Sequence, residues 1–177
     1  MAIKSTIYKA VLHISDMDRH YYIDHSLTIA CHPSETEDRL MMRILAFALN
    51  SRERLEFANG LTESDEPDLW EKDLTGAIQL WVQVGQPDEK NLLKACGRAK
   101  EVVIYSYNQS PTVWWEKSAS KMSRAKNLSV YMVSAKTVDG LAKMADRFMD
   151  LQFSIQDGEI YVHGEDSTVT VQMDKLN

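Results

Sequence analysis

The sequence predicts a mixed α/β fold: one domain over residues 1–177, with a central mixed β-sheet flanked by helices. Three observations carry this. Period-2 alternation of apolar residues fills both ends of the chain, strands alternate with helical patterns in the middle, and Pro87 and Pro111 each open a helical stretch just after a strand. With 177 residues, 44% of them hydrophobic and 26% charged, the chain has the composition of an ordinary globular domain able to bury a core.

The elements follow in order. Residues 5–14 and 20–31 alternate and are separated by SDMDRH, a β-hairpin pattern. His32-Pro33-Ser34 ends the second strand, and a helix runs over about 35–50. Its wet face is defined by Arg39, Arg43 and Asn50, and its buried face centres on Met41, Leu45 and Ala48. A short strand at 53–58 and an acidic loop from Gly60 to Glu66 lead to a weak strand at 68–74 and a strong one at 78–84. Then come a helix over 88–99, a strand over 102–107, a helix over 112–125 and a strand over 128–134. A helix is expected over 137–149, where Leu141, Met144, Ala145 and Phe148 form one stripe. Strands at 151–156 and 159–163 flank Asp157-Gly158, a strong hairpin turn, and 168–173 is a last strand.

Several function classes are excluded at this level. No apolar run reaches the roughly 18 residues of a membrane span. The start, MAIKSTIYKAVLHISD, alternates and lacks the layout of a signal peptide. Cys31 and Cys96 sit in apolar patterns as two thiols rather than a disulfide framework, which points to the cytoplasm. No CxxC or HExxH spacing is present for zinc.

Charge is uneven. The net charge is −6, yet residues 90–126 hold eight Lys or Arg against Glu101 and Glu116, a local +6 that leaves −12 elsewhere. Lys90, Lys94 and Arg98 share one helix face, and Lys117, Lys121 and Arg124 repeat the arrangement on the next helix, after Trp114 and Trp115. Such rows are usually solvated faces, and paired Trp are more often core. Beside aromatics, however, they suit a nucleic-acid backbone and stacked bases.

Three polar residues are candidates for a site. Glu37 falls on the buried face of the first helix, at its N-terminal edge, and also completes a capping box in Ser34-Glu35-Thr36-Glu37. Asp68 follows Pro67, which presets an extended entry into a strand; Pro-Asp is also a common turn dipeptide. Gln83 lies near the end of the strand in LWVQVGQPDEK, where an unpartnered buried amide costs roughly 1–3 kcal/mol.

Acid on the first helix, Pro-Asp at a strand start and a polar residue on the next strand: this order resembles the PD-(D/E)xK nuclease core. More closely, the whole chain resembles the YaeQ family, through TIYKA, HPSETEDRLMMRILAFAL, EPDLW, LWVQVGQPDEK with KAC, and LQFSIQDGEIYV. The resemblance implies a restriction-endonuclease-like core with added β-hairpins. It places Glu37 as the helix acid, Asp68 as the Pro-Asp carboxylate and Gln83 at the second acid, the set that holds Mg²⁺ in that superfamily. Gly85 stands where the motif lysine belongs, and Lys94, or less readily Lys90, would supply that charge from the helix, pointing back toward the end of the Gln83 strand. An amide is a neutral ligand and no base near pH 7. Two functions stay open: a Mg²⁺-dependent phosphodiesterase acting on DNA or RNA, or a non-catalytic module of the same fold that binds nucleic acid or a protein partner.

Overall fold

A computed structural model describes residues 4–107 and 110–177; residues 1–3, the start of the stretch considered as a signal peptide, and 108–109 lie outside it. The elements are β1 Thr6–Asp16, β2 Tyr21–Cys31, α1 Glu37–Asn50, β3 Leu55–Phe57, β4 Leu69–Lys72, β5 Ile78–Val84, α2 Glu89–Arg98, β6 Ala99–Ser106, α3 Pro111–Met122, β7 Leu128–Val133, α4 Ala135–Ala142, β8 Phe148–Gln156, β9 Glu159–His163, β10 Thr168–Val171 and β11 Met173–Lys175. The class is mixed α/β, as the sequence predicts. The strands distribute over two mixed sheets, ordered β10-β9-β8-β1-β2 and β11-β7-β6-β5-β4-β3. The chain divides into two compact units, residues 1–41 with 135–172, and residues 42–134 with 173–177.

In the first unit, β1 and β2 form the expected hairpin, paired from Thr6↔Cys31 to Asp16↔Tyr21. Asp16, 3% exposed, closes its loop by accepting from the Arg19 backbone N–H at 3.1 Å and from Arg19 Nε at 2.6 Å. β8 lies parallel to β1, and β9 returns through Asp157 and Gly158, whose φ of 52° and 76° make the turn that suits a right-twisted hairpin. Asp18 clamps that turn, accepting from the N–H groups of Asp157 at 2.7 Å and Gly158 at 2.9 Å.

The helix expected over 137–149 is a correction. α4 ends at Ala142, and Phe148 opens β8 with 76% of its surface exposed. Met149, Leu151, Phe153 and Ile155 alternate into the core, and a strand that buries four large side chains at period 2 outcompetes a shorter helical stripe.

α1 is the second correction. Every residue from Leu40 to Ala48 is buried, so the helix has no wet face there. Arg43 is 6% exposed with its guanidinium 5.6 Å from the Phe57 ring centre, and Asn50, at 8%, donates to Ala46 O at 2.8 Å and Tyr105 Oη at 2.9 Å. Eight of the nine residues from Leu40 to Ala48 are apolar, and a helix apolar all round is a buried one.

In the second unit, parallel strands β5, β6 and β7 form the centre of the sheet, with β4 and β3 antiparallel beyond β5. Trp81, Leu92, Ala95, Val102, Ile104 and Trp115 belong to one core cluster that seats α2 and α3 on a sheet face. Trp115 is core, as paired tryptophans usually are; Trp114 is half-buried, and its indole N–H donates to Pro87 O at 2.9 Å.

Candidate functional site

The second unit brings Asp68 and Gln83 together. β4 and β5 pair antiparallel from Leu69↔Val82, and Asp68, just before β4, bonds to Val82 and Val84 on either side of Gln83. Asp68 is 1% exposed and bonded both to β5 and to the residue after β3. Its N–H donates to Val82 O at 3.1 Å, its C=O accepts from Ala58 N–H at 2.8 Å, and its carboxylate Oδ2 accepts from Val84 N–H at 2.8 Å. The carboxylate thus stands in for a ladder carbonyl just before β4 begins. Pro67, which has no N–H, is buried just before it.

Gly60 makes this packing possible. A Cβ there would lie 2.5 Å from Pro67 C and 2.8 Å from Asp68 N, closer than any real contact. No sequence pattern singles it out, because the neighbour it must admit is seven residues on.

Gln83 is half-buried and faces the same side as Trp81, two residues earlier on β5, whose indole N–H donates to Gln83 Oε1 at 3.2 Å. The amide therefore has a structural partner. Gly85, at the position of the motif lysine, takes φ +105° and donates its N–H to Tyr105 O at 2.9 Å. A side chain at that φ is strained, so the backbone here is built for glycine.

Glu37 is a correction. It is exposed, at the first position of α1, and the helix is capped by Thr36, whose Oγ1 accepts from Arg39 N–H at 3.2 Å. The buried carboxylate at this end is Glu35, with a side chain 1% exposed and Arg39 on its Oε1 at 3.2 Å. The helix begins two residues later than the capping-box pattern implied, which puts Glu37 at its exposed first position and leaves Glu35 before the first turn. Glu37 belongs to the first unit and Asp68, Gln83 and Lys94 to the second.

Lys94 pairs with Asp65, three residues before Asp68. Arg98 donates to Asp65 O at 2.7 Å and lies 5.1 Å from the Trp81 ring centre. The Lys94 hydrogen bond, with its charge, holds the Asp65 carboxyl below its ordinary range. The α2 lysine thus fastens the acidic loop. Asp65 lies 29 residues from its partner and carried no local signal.

Mg²⁺ needs about six oxygens at roughly 2.0–2.1 Å. Among the described residues no three His, Cys, Asp or Glu side chains gather as a metal-holding group. With Asp68 Oδ2 given to Val84 and Gln83 Oε1 to Trp81, these two residues of the second unit do not by themselves fit a built divalent-cation site.

Lys90, Lys94 and Arg98 lie on α2 and Lys117 and Lys121 on α3, as expected, but α3 ends at Met122 rather than near 125, so Arg124 falls in the turn beyond it. Lys90, Lys94, Arg98, Lys117, Lys121 and Arg124 are all exposed. Lys121 joins α3 to α2 through Glu89 at 3.2 Å, while Lys90, Lys117 and Arg124 have no partner among the described residues. Asp88 caps α2 by accepting from Asn91 N–H at 2.8 Å.

The chain matches the family model described as YaeQ protein over residues 1–173. The chain belongs to the YaeQ family. It is 41% identical to the YaeQ proteins of Salmonella typhi and of Escherichia coli (strain K12) over 174 residues, 98% of this chain and 96% of each relative. The crystal structure of the YaeQ protein from Xanthomonas axonopodis pv. citri superposes with a TM-score of 0.94 at 45% identity, covering 98% of both chains. That of the YaeQ protein from Pseudomonas syringae gives 0.94 at 35% identity, covering 98% of this chain and 96% of that one. Among the described residues, no helix is long and apolar enough to cross a membrane.

The first unit of this YaeQ chain holds a feature the sequence did not suggest. A groove of about 950 Å³ is lined by Lys9, His13, Asp150, Gln152 and His163, among others. In it His13 bridges two carboxylates, Nδ1 to Asp24 at 2.9 Å and Nε2 to Asp150 at 3.0 Å. The hydrogen bond to Asp24, with the charges of both acids, raises the His13 pKa against the opposing effect of burial.

Proposed function

We propose that this YaeQ-family chain binds nucleic acid without cutting it, through the exposed face of α2 and α3. The observation that carries this is the cation set Lys90 on α2, Lys117 on α3 and Arg124 just beyond the end of α3, exposed and unpaired among the described residues, with the two helices fastened by Lys121 and Glu89. Solvated ammonium and guanidinium groups without carboxylate partners are what a phosphate backbone exchanges for its counterions. The second unit has thirteen Lys or Arg and thirteen Asp or Glu, so the face is a local segregation of charge in a neutral unit.

The reading is non-catalytic because the parts a phosphodiesterase would need serve the fold. Asp68 caps the end of β5, Gln83 holds Trp81, Lys94 fastens Asp65, and Gly85 occupies the lysine position with a backbone that excludes it. A Mg²⁺-dependent phosphodiesterase is the second reading, favoured by the juxtaposition of Asp68 and Gln83.

Fluorescence anisotropy of labelled single-stranded and duplex DNA and RNA tests the first reading. The logarithm of affinity should fall linearly with the logarithm of salt, with a slope of about −2 to −3 for three neutralised phosphates. Reversing Lys117, Lys121 and Arg124 to Glu should abolish binding, while Asp68→Asn leaves it unchanged. Undiminished binding by the triple variant removes this face from consideration. Cleavage of the same oligonucleotides in Mg²⁺ or Mn²⁺, lost in Asp68→Asn, establishes the second reading instead.

A further inference from the structure

We propose that the start of β2 is a self-association edge, at which two copies of the chain pair Tyr21–His25 antiparallel about a twofold axis and join their five-stranded sheets at that corner. β2 ends the sheet order and runs straight, paired to β1 at eleven consecutive positions without a register shift. At 11 residues it is far longer than the other edge strands, β10 with four and β3 and β11 with three each. Long edges normally carry Lys, Pro or a bulge that blocks pairing. YYIDHSLTIAC has none of these, and Asp24 is its single charge. From Tyr21 to Asp24 the backbone is bonded to β1 alone among the described residues.

The side chains argue for a second copy as the occupant. Ile23 lies across from Ile14 on the core face; Ile14 is 2% exposed, whereas Ile23 is 48% exposed because nothing continues the sheet beyond it. A twofold axis at Ile23 sets it against Ile23 of the second copy and completes that apolar row. The same register places Tyr22, 58% exposed, across from Asp24 of the second copy, a phenol donor facing a carboxylate, and Tyr21 across from His25. An axis at Asp24 would oppose two carboxylates, which is unfavourable. The segment Tyr21–His25 is thus self-complementary about Ile23, as an isologous interface requires.

Charge gives this association a signature opposite to nucleic-acid binding. The first unit carries seven Lys or Arg against thirteen Asp or Glu, so two copies repel at long range and salt screening should favour the dimer. Sedimentation velocity over about a hundredfold concentration range, at low and high salt, is the test. The expected result is a species of twice the monomer mass that grows with concentration and salt and is absent for Ile23→Lys. A second variant keeps the test independent of whether that one folds. Under mild oxidation Ile23→Cys should form a covalent dimer, while wild type, with its own free Cys31 and Cys96, and Thr28→Cys should not. A wild-type chain monomeric throughout, a dimer that survives Ile23→Lys, or equal cross-linking of Ile23→Cys and Thr28→Cys overturns the proposal.

Discussion

The carboxylate of Asp68 accepts the backbone N–H of Val84 at 2.8 Å, linking the residue before β4 to the last residue of β5. Both groups are buried, so each is a partner the other cannot exchange for water. Asp68→Ala should therefore destabilise the fold by about 2–3 kcal/mol in chelator, the range for a lost hydrogen bond to a charged group plus an orphaned N–H. Asp68→Asn keeps an acceptor and should cost less than half as much. Urea titrations of the three proteins decide; an unperturbed Ala variant would mean the bond contributes nothing.

Gln83 gives a test that separates the two functional readings. Gln83→Glu keeps an acceptor for the Trp81 indole, so in EDTA it should lose at most about 1 kcal/mol, from the new charge beside Asp68. The binding-module reading expects melting temperatures of both proteins to ignore Mg²⁺. A Mg²⁺-dependent rise confined to the Glu variant would show that a carboxylate restores a metal site, since a ligand bound only by the folded state stabilises it.

Gly85→Ala should cost about 1 kcal/mol or more, because φ +105° is a conformation that side chains resist. Gly60→Ala should cost more, as its Cβ meets the backbone of Pro67 and Asp68 rather than a side chain that can move. Thermal melts rank them; an order reversed between the two would refute the packing role given to Gly60.

His13 predicts a pH dependence. Its folded pKa is raised, so the Asp24–His13–Asp150 bridge stabilises the fold at pH values below the unfolded value near 6.5 and loses that contribution as pH rises through the folded value. The gap in melting temperature between wild type and His13→Asn should be wider near pH 6 than near pH 9. A gap independent of pH would mean that the bridge acts only through packing.

Asp18 clamps a turn more than a hundred residues away. Asp18→Ala should cost about 1–2 kcal/mol and speed hydrogen exchange at Asp157 and Gly158. Unchanged exchange at those two amides would show that water replaces the carboxylate.

Where a local pattern had one physical solution, the sequence by itself determined the result. The alternation in ILE-GLN-LEU-TRP-VAL-GLN-VAL at 78–84 is the strand β5, Asp157-Gly158 is the hairpin turn, and the cations of α2 and α3 are exposed, since nothing apolar competes for those positions. The family, too, was legible in stretches such as EPDLW and LWVQVGQPDEK. Other features were decided only by the tertiary structure. The partners of Asp68, Lys94 and Asp18 come from other segments, so no local pattern encodes that an acid will cap β5, that a lysine will fasten a loop, or that one hairpin will clamp another. Arg43 and Asn50 looked solvent-facing because a helix period assigns polar residues outward, yet the chain buries α1 all round from Leu40 to Ala48 and satisfies Asn50 through Tyr105, 55 residues on. Phe148 looked helical until β8 found β1: parallel pairing with a strand about 140 residues earlier buries more apolar surface than a helix could, and only the folded chain contains that strand at that place.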